Sequence, residues 1–391
     1  MKGCHVMAKP AGSRCNLSCR YCFYLDKPML PVMDEETLRL YIRQHIAAQP
    51  GDEVEFAWQG GEPTLCGLPF FEKVVALQQR YACGKRIHNS LQTNGLLLND
   101  AWCAFLRQHQ WLVGLSLDGP AELHDRYRVT RRGLPSHHRV MATLNRLRRH
   151  QIAFNLMVVV NNLNGRQPEQ MYAFLRQLGT PWLQFIPLVE WDAAGNLTPE
   201  SVTAEIWGQF LTTVFMRWGR QDIGRIHIQL FESTLGIWNG FPSQLCVLSE
   251  TCGHAFALEA NGDLYQCDHF VGPPWWVGNL RQTPLSELNA SRAAIAFGAA
   301  KKTALPPECL TCRERPFCHG DCPKHRPPGG KSALCEGYRR FFRESAPWMA
   351  RMRDLIRRRR SPAALMAAFP APTDPRGQVV IPCTNPHQGQ A

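Results

Sequence analysis

The chain has 391 residues, 45% of them apolar, and a formal net charge of +12. No uninterrupted apolar run approaches the ~18–20 residues of a membrane-spanning helix, and the first residues lack the long apolar segment of a signal peptide. We therefore expect a cytoplasmic protein without a membrane partner, long enough for one large domain and a smaller one.

Short β-like runs alternate with amphipathic stretches through residues 1–235, which we interpret as one domain. Predicted strands cover residues 5–9, 54–59, 90–93, 112–118, 155–160 and 183–189. Predicted helices cover about residues 34–49, 70–81, 99–110, 136–150 and 168–178, with Asp34 and Asn99 as N-caps. Six βα repeats require parallel strands and suffice for an open, partial (β/α)6 barrel of the α/β class.

The chain changes character after the sixth predicted strand. Residues 204–238 read as a helical segment. Residues 240–345 are rich in Cys, Gly and Pro, so we expect a small domain that metal clusters help to fold. Residues 346–391 read as a basic helix and a Pro-rich tail, and from residue 361 we expect that tail to be disordered or loosely attached.

Eleven of the sixteen cysteines fall into two groups, one between residues 15 and 22 and one between residues 246 and 335. Clustered cysteines in a reducing compartment indicate metal ligation rather than disulfides. Cys15, Cys19 and Cys22 directly follow the first strand. Three thiolates can hold three irons of a cubane cluster and leave the fourth iron open to an amine and a carboxylate. A zinc site short of one ligand, or three unrelated cysteines, is the alternative.

Polar residues also follow the next three predicted strands. The segments are Gly60-Gly61-Glu62-Pro63, Thr93-Asn94-Gly95 and Ser116-Leu117-Asp118-Gly119. Taken alone, the first segment is better explained as a plain tight turn, and each of the other two is equally well explained as a turn or a helix cap. Because parallel strands end at one rim of a sheet, their combination with the cysteines predicts a cofactor site at that rim.

The second group holds eight cysteines, enough for two sets of four. Fully ligated clusters have no open iron, so electron transfer or structure would be their role. On this segment alone, a zinc ribbon is an equal alternative.

The Cys-x3-Cys-x2-Cys spacing with Tyr21 before the last cysteine, together with the Gly-Gly-Glu-Pro turn, resembles the radical S-adenosylmethionine (SAM) superfamily. The resemblance implies a [4Fe–4S] cluster on Cys15, Cys19 and Cys22 that binds SAM. The SAM contacts it implies are Tyr21, Gly60, Gly61, Glu62, Thr93, Asn94, Ser116 and Asp118.

The later cysteine spacing resembles the SPASM domain of peptide-modifying radical SAM enzymes. By that resemblance two more [4Fe–4S] clusters are implied. The first auxiliary set consists of Cys246, Cys252, Cys267 and Cys322, and the second auxiliary set of Cys309, Cys312, Cys318 and Cys335.

Three further segments are similar to the anaerobic sulfatase-maturating enzymes: residues 124–130, residues 184–187 and Cys267-Asp268-His269-Phe270. The resemblance implies oxidation of a Cys or Ser in a Cys/Ser-x-Pro-x-Arg segment of an unfolded or nascent sulfatase to Cα-formylglycine. Asp268 would be the base, and a one-electron donor such as flavodoxin or ferredoxin would be a partner. We expect residues of the 124–128 segment to bind the peptide or to cap a helix. Arg126 and Arg128 are equally well explained as surface charges.

Two other functions remain open. Another SPASM enzyme would make thioether or carbon–carbon crosslinks in a small precursor peptide, but we see no recognition domain before the first strand. A zinc-ribbon nucleic-acid-binding protein would use the basic runs at residues 126–132, 146–149 and 351–360. We interpret those runs as solvated helix faces and a basic tail, since no aromatic stacking platform accompanies them, and expect no nucleic-acid partner.

Overall fold

The computed structural model describes residues 3–25 and 27–369. Within that part the strands are β1 His5–Lys9, β2 Glu53–Trp58, β3 Arg86–Thr93, β4 Leu112–Ser116, β5 Phe154–Val160, β6 Trp182–Pro187, β7 His227–Ile228, β8 Ala255–Glu259, β9 Asp263–Tyr265 and β10 Trp276–Asn279. The α-helices there are α1 Glu35–Ala48, α2 Leu68–Tyr81, α3 Asp100–Gln108, α4 Ala121–Tyr127, α5 His137–Arg149, α6 Pro168–Arg176, α7 Ala204–Gln221, α8 Gln229–Trp238, α9 Leu285–Asn289, α10 Arg292–Thr303, α11 Pro307–Leu310, α12 Arg315–Cys318 and α13 Cys335–Arg357.

All ten strands form one sheet, in the order β10-β9-β8-β1-β2-β3-β4-β5-β6-β7. The six predicted strands are present, and each pairs in parallel with its neighbour in chain order, as predicted. Along β5 the side chains of Phe154, Leu156, Val158 and Val160 are buried and alternate with less buried ones. One face of the sheet therefore packs on helices, while the other faces the interior of the open barrel.

The two predicted N-caps are confirmed. Asp34 accepts a hydrogen bond from the backbone N–H of Thr37 at 2.8 Å, and Asn99 accepts one from Trp102 at 3.0 Å. Each carboxylate or amide oxygen satisfies an N–H that the first turn of a helix leaves without an intrahelical partner.

The cysteine-rich segment contributes more to the core than its sequence indicated. Its strand β8 pairs in parallel with β1, and β9 and β10 continue the sheet as antiparallel neighbours. Phe256, Leu258 and Leu264 belong to the same buried core as the barrel strands. From the abundance of Cys, Gly and Pro we expected little apolar core in this segment, and that expectation is wrong, because these residues are buried against a strand some 250 positions away.

The predicted helical segment 204–238 is interrupted. Helix α7 ends at Gln221, and β7 pairs with β6 before α8 begins. The break follows from Asp222, whose buried carboxylate accepts from the hydroxyl of Tyr172 at 2.9 Å and from Arg176 at 2.8 Å. Gly224 then takes a positive φ of 76°, which directs the chain back to the sheet.

The predicted basic helix begins earlier than residue 346. It is the second half of α13, which starts at Cys335 and packs along α7. The expectation of a loosely attached segment from residue 361 is wrong for residues 361–369, because Phe369 is buried and stacks on Trp348 with ring centroids 4.0 Å apart. Residues 370–391 lie outside the described residues. The domain limits 1–235, 240–345 and 346–391 stay a prediction.

Candidate active site

The loop that carries Cys15, Cys19 and Cys22 lies against the segment that follows α4. The N–H groups of Ser18 and Arg20 donate to the carbonyls of Val129 and Tyr127 at 2.8 and 3.0 Å. Burial raises the pKa of Cys15 and raises that of Cys19 to about 12. Cys22 acts to raise both pKa values further, so the three thiols lie within electrostatic reach of one another. Thiols in such surroundings become thiolates when a cation is bound, so this donor set fits a metal cluster.

The Gly60-Gly61 turn after β2 rests directly on this loop. Gly61 donates its N–H to the carbonyl of Gly12 at 2.8 Å, and Glu62 donates to that of Arg14 at 2.7 Å. A Cβ on Gly61 would lie 2.0 Å from the carbonyl oxygen of Arg14. The close approach of two backbones therefore requires glycine here, in addition to any contact with a ligand.

Glu62 joins the ends of β2 and β3. Its buried carboxylate accepts from the backbone N–H of Thr64 at 3.1 Å, the hydroxyl of Thr93 at 2.8 Å and the N–H of Asn94 at 2.8 Å. Burial raises the pKa of Glu62, and these hydrogen bonds lower it. The side chains of Glu62 and Thr93 are thus paired with each other. That of Asn94 faces the cysteine loop, with its Nδ2 3.7 Å from the Sγ of Cys15.

Ser116 and Asp118 lie at the end of β4. Ser116 Oγ accepts from Gln92 at 3.0 Å. The buried carboxylate of Asp118 accepts from the hydroxyl of Tyr21 and from the N–H of Val159, the latter at 3.0 Å. Every predicted SAM contact therefore lies on the rim that holds the three cysteines, and the role of each remains a prediction.

Arg128 completes this rim, whereas Arg126 is exposed. Arg128 is only 7% exposed, donates to the Tyr21 hydroxyl at 2.9 Å and lies 4.0 Å from Asp118. Burial raises the pKa of Asp118, and the charge of Arg128 opposes that rise. The sequence alone left Arg128 undecided between peptide binding, helix capping and a surface charge.

His124 and Asp125 support the same segment. His124 is fully buried, accepts from the N–H of Asp118 at 3.2 Å and contacts Ser136 Oγ at 3.0 Å, while that hydroxyl donates to the carbonyl of Arg128 at 2.6 Å. Burial lowers the pKa of His124 to about 2, with the charge of Arg128 acting in the same direction, so the ring is neutral. Asp125 accepts from the first N–H groups of α5, which favours capping over peptide binding for this carboxylate.

The eight later cysteines are predicted to form two sets, and that assignment stays a prediction. Cys267 and Cys322 of the first auxiliary set each have a pKa raised by burial and, to a smaller extent, by Cys246. The four cysteines of the second auxiliary set line one common cavity. Among the described residues no three His, Cys, Asp or Glu side chains converge as one metal ion would require. Sets of four thiols, each able to bind a different iron, fit the chemistry of a cubane.

Asp268 follows Cys267 and reaches the rim of the site. Its carboxylate forms an ion pair with Lys9, whose side chain is 2% exposed at the end of β1. The Lys9 ammonium lies 4.1 Å from the ring centroid of Tyr24. Burial acts to raise the pKa of Asp268, but the charge and hydrogen bond of Lys9, together with the charge of Lys324, hold it below its ordinary value.

Our sequence reasoning missed Lys9. The available signal was a lysine at the end of an apolar strand, since a charge in that position is buried only with a partner.

A cavity of about 940 Å³ opens beside the N-terminal ends of β4, β5 and β6. Trp182 and Phe241, which are 51% and 67% exposed, line it together with the amides of Asn155 and Gln184. Gln92 and Asn155 both lie beside Gly114, since a Cβ on that glycine would meet both side chains. Gln92 also donates a hydrogen bond to Ser116 at the rim. Gln92 and Asn155 thus form a polar connection between the cavity and the rim.

Comparison with known proteins agrees with this architecture. Residues 10–175 match the radical SAM superfamily, and residues 246–313 match the SPASM iron–sulfur cluster-binding domain. The protein is a radical SAM enzyme, an oxidoreductase with a SAM site and an iron–sulfur cluster-binding domain.

Curated relatives show to which family of radical SAM enzymes the chain belongs. A serine-type anaerobic sulfatase-maturating enzyme of Bacteroides thetaiotaomicron is 39% identical, over 94% of this chain and 95% of the relative. A cysteine-type enzyme of Clostridium perfringens is 32% identical over 88% of this chain and 96% of the relative. The chain belongs to the anaerobic sulfatase-maturating enzymes.

Comparison with solved structures gives the same fold. Native anSMEcpe with bound AdoMet and a Cp18Cys peptide has a TM-score of 0.84 at 30% identity, over 90% of this chain and 99% of that chain. SuiB of Streptococcus suis, bound to S-adenosylmethionine, has a TM-score of 0.64 at 14% identity over 86% of this chain and 78% of that chain, and shares the fold. No helix in the described residues has the length and apolarity to cross a bilayer.

Proposed function

We propose that this enzyme oxidises a Cys or Ser in a Cys/Ser-x-Pro-x-Arg segment of a sulfatase to Cα-formylglycine. The observation that carries the proposal is the ion pair between Lys9 and Asp268. Lys9 adjoins the Gly60 turn, since a Cβ on Gly60 would lie 3.1 Å from the Cβ of Lys9. A carboxylate from the auxiliary-cluster loop therefore stands beside the proposed SAM site.

We assign three [4Fe–4S] clusters, one on Cys15, Cys19 and Cys22 and one on each auxiliary set. The cluster on Cys15, Cys19 and Cys22, once reduced by one electron, would cleave SAM and so supply hydrogen-atom abstraction at the target Cβ, and an oxidised auxiliary cluster would accept the electron that the substrate loses. Tyr21, Gly60, Gly61, Glu62, Thr93, Asn94, Ser116 and Asp118 hold SAM or the loops around it. An external one-electron donor such as flavodoxin or ferredoxin is part of the proposal.

Asp268 is the proposed base for the proton of the target thiol or hydroxyl. Loss of a hydrogen atom from the neighbouring carbon makes that S–H or O–H far more acidic, so a carboxylate with a low pKa is basic enough. Lys9 keeps the carboxylate ionised and fixes its position. Because Asp268 adjoins Cys267, the proton and the electron leave the substrate on the same side. Their loss, with that of the hydrogen atom, gives the aldehyde directly from Ser and a thioaldehyde from Cys, which water hydrolyses to the aldehyde with release of sulfide.

The cavity beside β4, β5 and β6 is the proposed path for the peptide. Its volume of about 940 Å³ suits several residues of extended chain, and its aromatic lining suits their apolar parts. The amides of Asn155 and Gln184 can bond a peptide backbone without selecting a side chain. Recognition through the peptide backbone suits a substrate that is an unfolded segment.

The test is anaerobic incubation of the reconstituted protein with SAM, a reductant, and matched Cys and Ser peptides. We expect the parent protein to form an aldehyde, which an aldehyde-reactive probe labels. The Asp268→Asn variant should release as much 5′-deoxyadenosine as the parent but give an aldehyde yield at least 100-fold lower. Asp354→Asn, at an exposed position on α13, is the control.

A crosslinked peptide that the probe does not label would favour the alternative SPASM chemistry. A full aldehyde yield from Asp268→Asn would remove this base from the mechanism. About twelve irons per chain are expected, and zinc without sulfide would exclude the cluster assignment.

A further inference from the structure

A buried lysine contacts the first auxiliary set and has no assigned role. Lys301 lies on α10 and is 1% exposed. Its ammonium donates to the carbonyl oxygens of Cys246 and Val247 at 2.5 and 3.0 Å. The same face of α10 reaches a second cysteine of the set, because Gly298 accepts from the N–H of Cys252 at 3.2 Å.

Among the described residues, the hydrogen-bond acceptors of the Lys301 ammonium are neutral groups. Both hydrogen bonds go to neutral carbonyls, and none of the described carboxylates forms a salt bridge with it. Asp321, a carboxylate whose charge acts on Lys301, is itself bonded to His325 at 2.8 Å and to Ser332 at 2.7 Å. Burial lowers the pKa of Lys301, and Asp321 opposes that fall. The ammonium form places a positive charge beside the first auxiliary set, where there is little water to screen it.

The side-chain contacts of Lys301 lie at the first auxiliary set. Both of its hydrogen-bond acceptors belong to Cys246 and the residue after it, and neither belongs to the second auxiliary set. Lys331, four residues before Cys335 of the second auxiliary set, is half-exposed and paired with Glu336, so water and that carboxylate screen its charge.

We propose that Lys301 raises the reduction potential of the cluster on Cys246, Cys252, Cys267 and Cys322 and so makes it the stronger electron acceptor of the two auxiliary clusters. Adding an electron adds negative charge to a buried site, and a neighbouring cation stabilises that state more than the oxidised one. The inference rests on the cluster assignment of the proposed function. The inference adds to that proposed function a reason why the electron would arrive at the cluster beside Asp268.

The experiment is an EPR-monitored redox titration of the reconstituted full chain. The cluster on Cys15, Cys19 and Cys22 is recognised because its signal changes when SAM is added. In Lys301→Gln, which keeps donors for the two carbonyls but loses the charge, we expect one auxiliary couple to bind its electron at least tenfold more weakly. For a one-electron couple that is a fall of about 59 mV or more.

Two variants serve as controls. Lys302→Gln removes the same charge from the next residue, whose side chain is 56% exposed and paired with Glu250, and is expected to leave both potentials unchanged. Lys301→Arg keeps the charge and is expected to stay near the parent potential. Lys301→Met repeats the loss of charge with a different shape and is expected to match Lys301→Gln.

Unchanged potentials in a fully iron-loaded Lys301→Gln would overturn the inference. Loss of iron from both Lys301→Gln and Lys301→Met, with Lys302→Gln fully loaded, would also overturn it, because Lys301 would then hold the loop rather than set a potential. The assay needs no peptide, so its failure is separate from that of the proposed function. That function's cluster assignment would instead fail at the iron count.

Discussion

Lys9 shows how much one side chain can depend on a distant partner. It occupies the last position of β1, where Val6 and Ala8 are fully buried, and is itself 2% exposed. An unpaired ammonium in that position would be strongly unfavourable, and Asp268 together with the ring face of Tyr24 makes it tolerable. The pair also holds the carboxylate at the rim.

We predict that Lys9→Gln lowers the aldehyde yield at least tenfold while 5′-deoxyadenosine release stays nearly normal, because Asp268 loses the partner that fixes its position. The measurement is the ratio of aldehyde to 5′-deoxyadenosine at equal iron content. Lys73→Gln, which removes an exposed pair with Glu35, is the control. An unaltered ratio in Lys9→Gln would mean that Asp268 does not need Lys9.

The burial of His45, a residue away from the proposed clusters, predicts that the free energy of unfolding depends on pH. Its ring is fully buried and contacts the carbonyl of Glu55 at 2.9 Å, and burial lowers its pKa from 6.5 to about 4. The folded chain therefore keeps a neutral ring while the unfolded chain binds a proton below pH 6.5. The contribution of His45 to stability is lost as the pH falls from about 6.5 towards 4.

We expect the free energy of unfolding to fall between pH 7 and pH 5 by on the order of 2 kcal/mol more in the parent than in His45→Gln. Thermal midpoints at the two pH values measure it, with His88→Gln, at an exposed position on β3, as the control. Equal pH dependence of the parent and His45→Gln would show that His45 is not the group responsible.

At the scale of elements, the active-site rim is assembled from loops that bond to one another. The turn after β2 is bonded to the cysteine loop through Gly12 and Arg14, and Glu62 bonds this turn to the end of β3. Tyr21 and Arg128 join the same loop to the end of β4. Each strand end thereby positions its neighbour, and a change in one turn displaces the cysteines.

Gly61→Ala tests this coupling. Its added Cβ would meet the carbonyl oxygen of Arg14 at 2.0 Å, so the loop must shift. We predict about a tenfold or larger loss of SAM cleavage and a lower iron content by roughly one cluster of three. Gly51→Ala, where the new Cβ would have no atom within 4 Å, should behave as the parent. Normal cleavage by Gly61→Ala would contradict the required close approach.

Across the whole molecule, the barrel and the cysteine-rich segment are packed as one core. Strand β8 extends the barrel sheet beside β1, and α13 crosses α7 with the backbones in contact. A Cβ on Gly208 would lie 2.8 Å from the Cα of Gly337, and one on Gly337 would lie 2.3 Å from the carbonyl of Ala204. Since α13 begins at Cys335, this crossing also places a member of the second auxiliary set.

We predict that Gly337→Val destabilises the fold by about 1–3 kcal/mol and lowers the thermal midpoint by several degrees, because the two helices must separate. Differential scanning calorimetry of the reconstituted protein is the measurement. Gly236→Ala, within α8 and with no atom within 4 Å of the new Cβ, is expected to be neutral or slightly stabilising. A midpoint unchanged by Gly337→Val would show that the crossing is loose.

The features that the sequence by itself determined are local. The six strands, the caps Asp34 and Asn99, and the spacing of the cysteines follow from patterns of a few neighbouring residues, and the structure confirms the strands and caps. Only the tertiary structure decided the pairing of β8 with β1, the burial of Arg128 and the contact of Lys9 with Asp268. The last of these joins residues 259 positions apart. Such contacts depend on the packing of the whole chain, and no periodicity in a short segment records them.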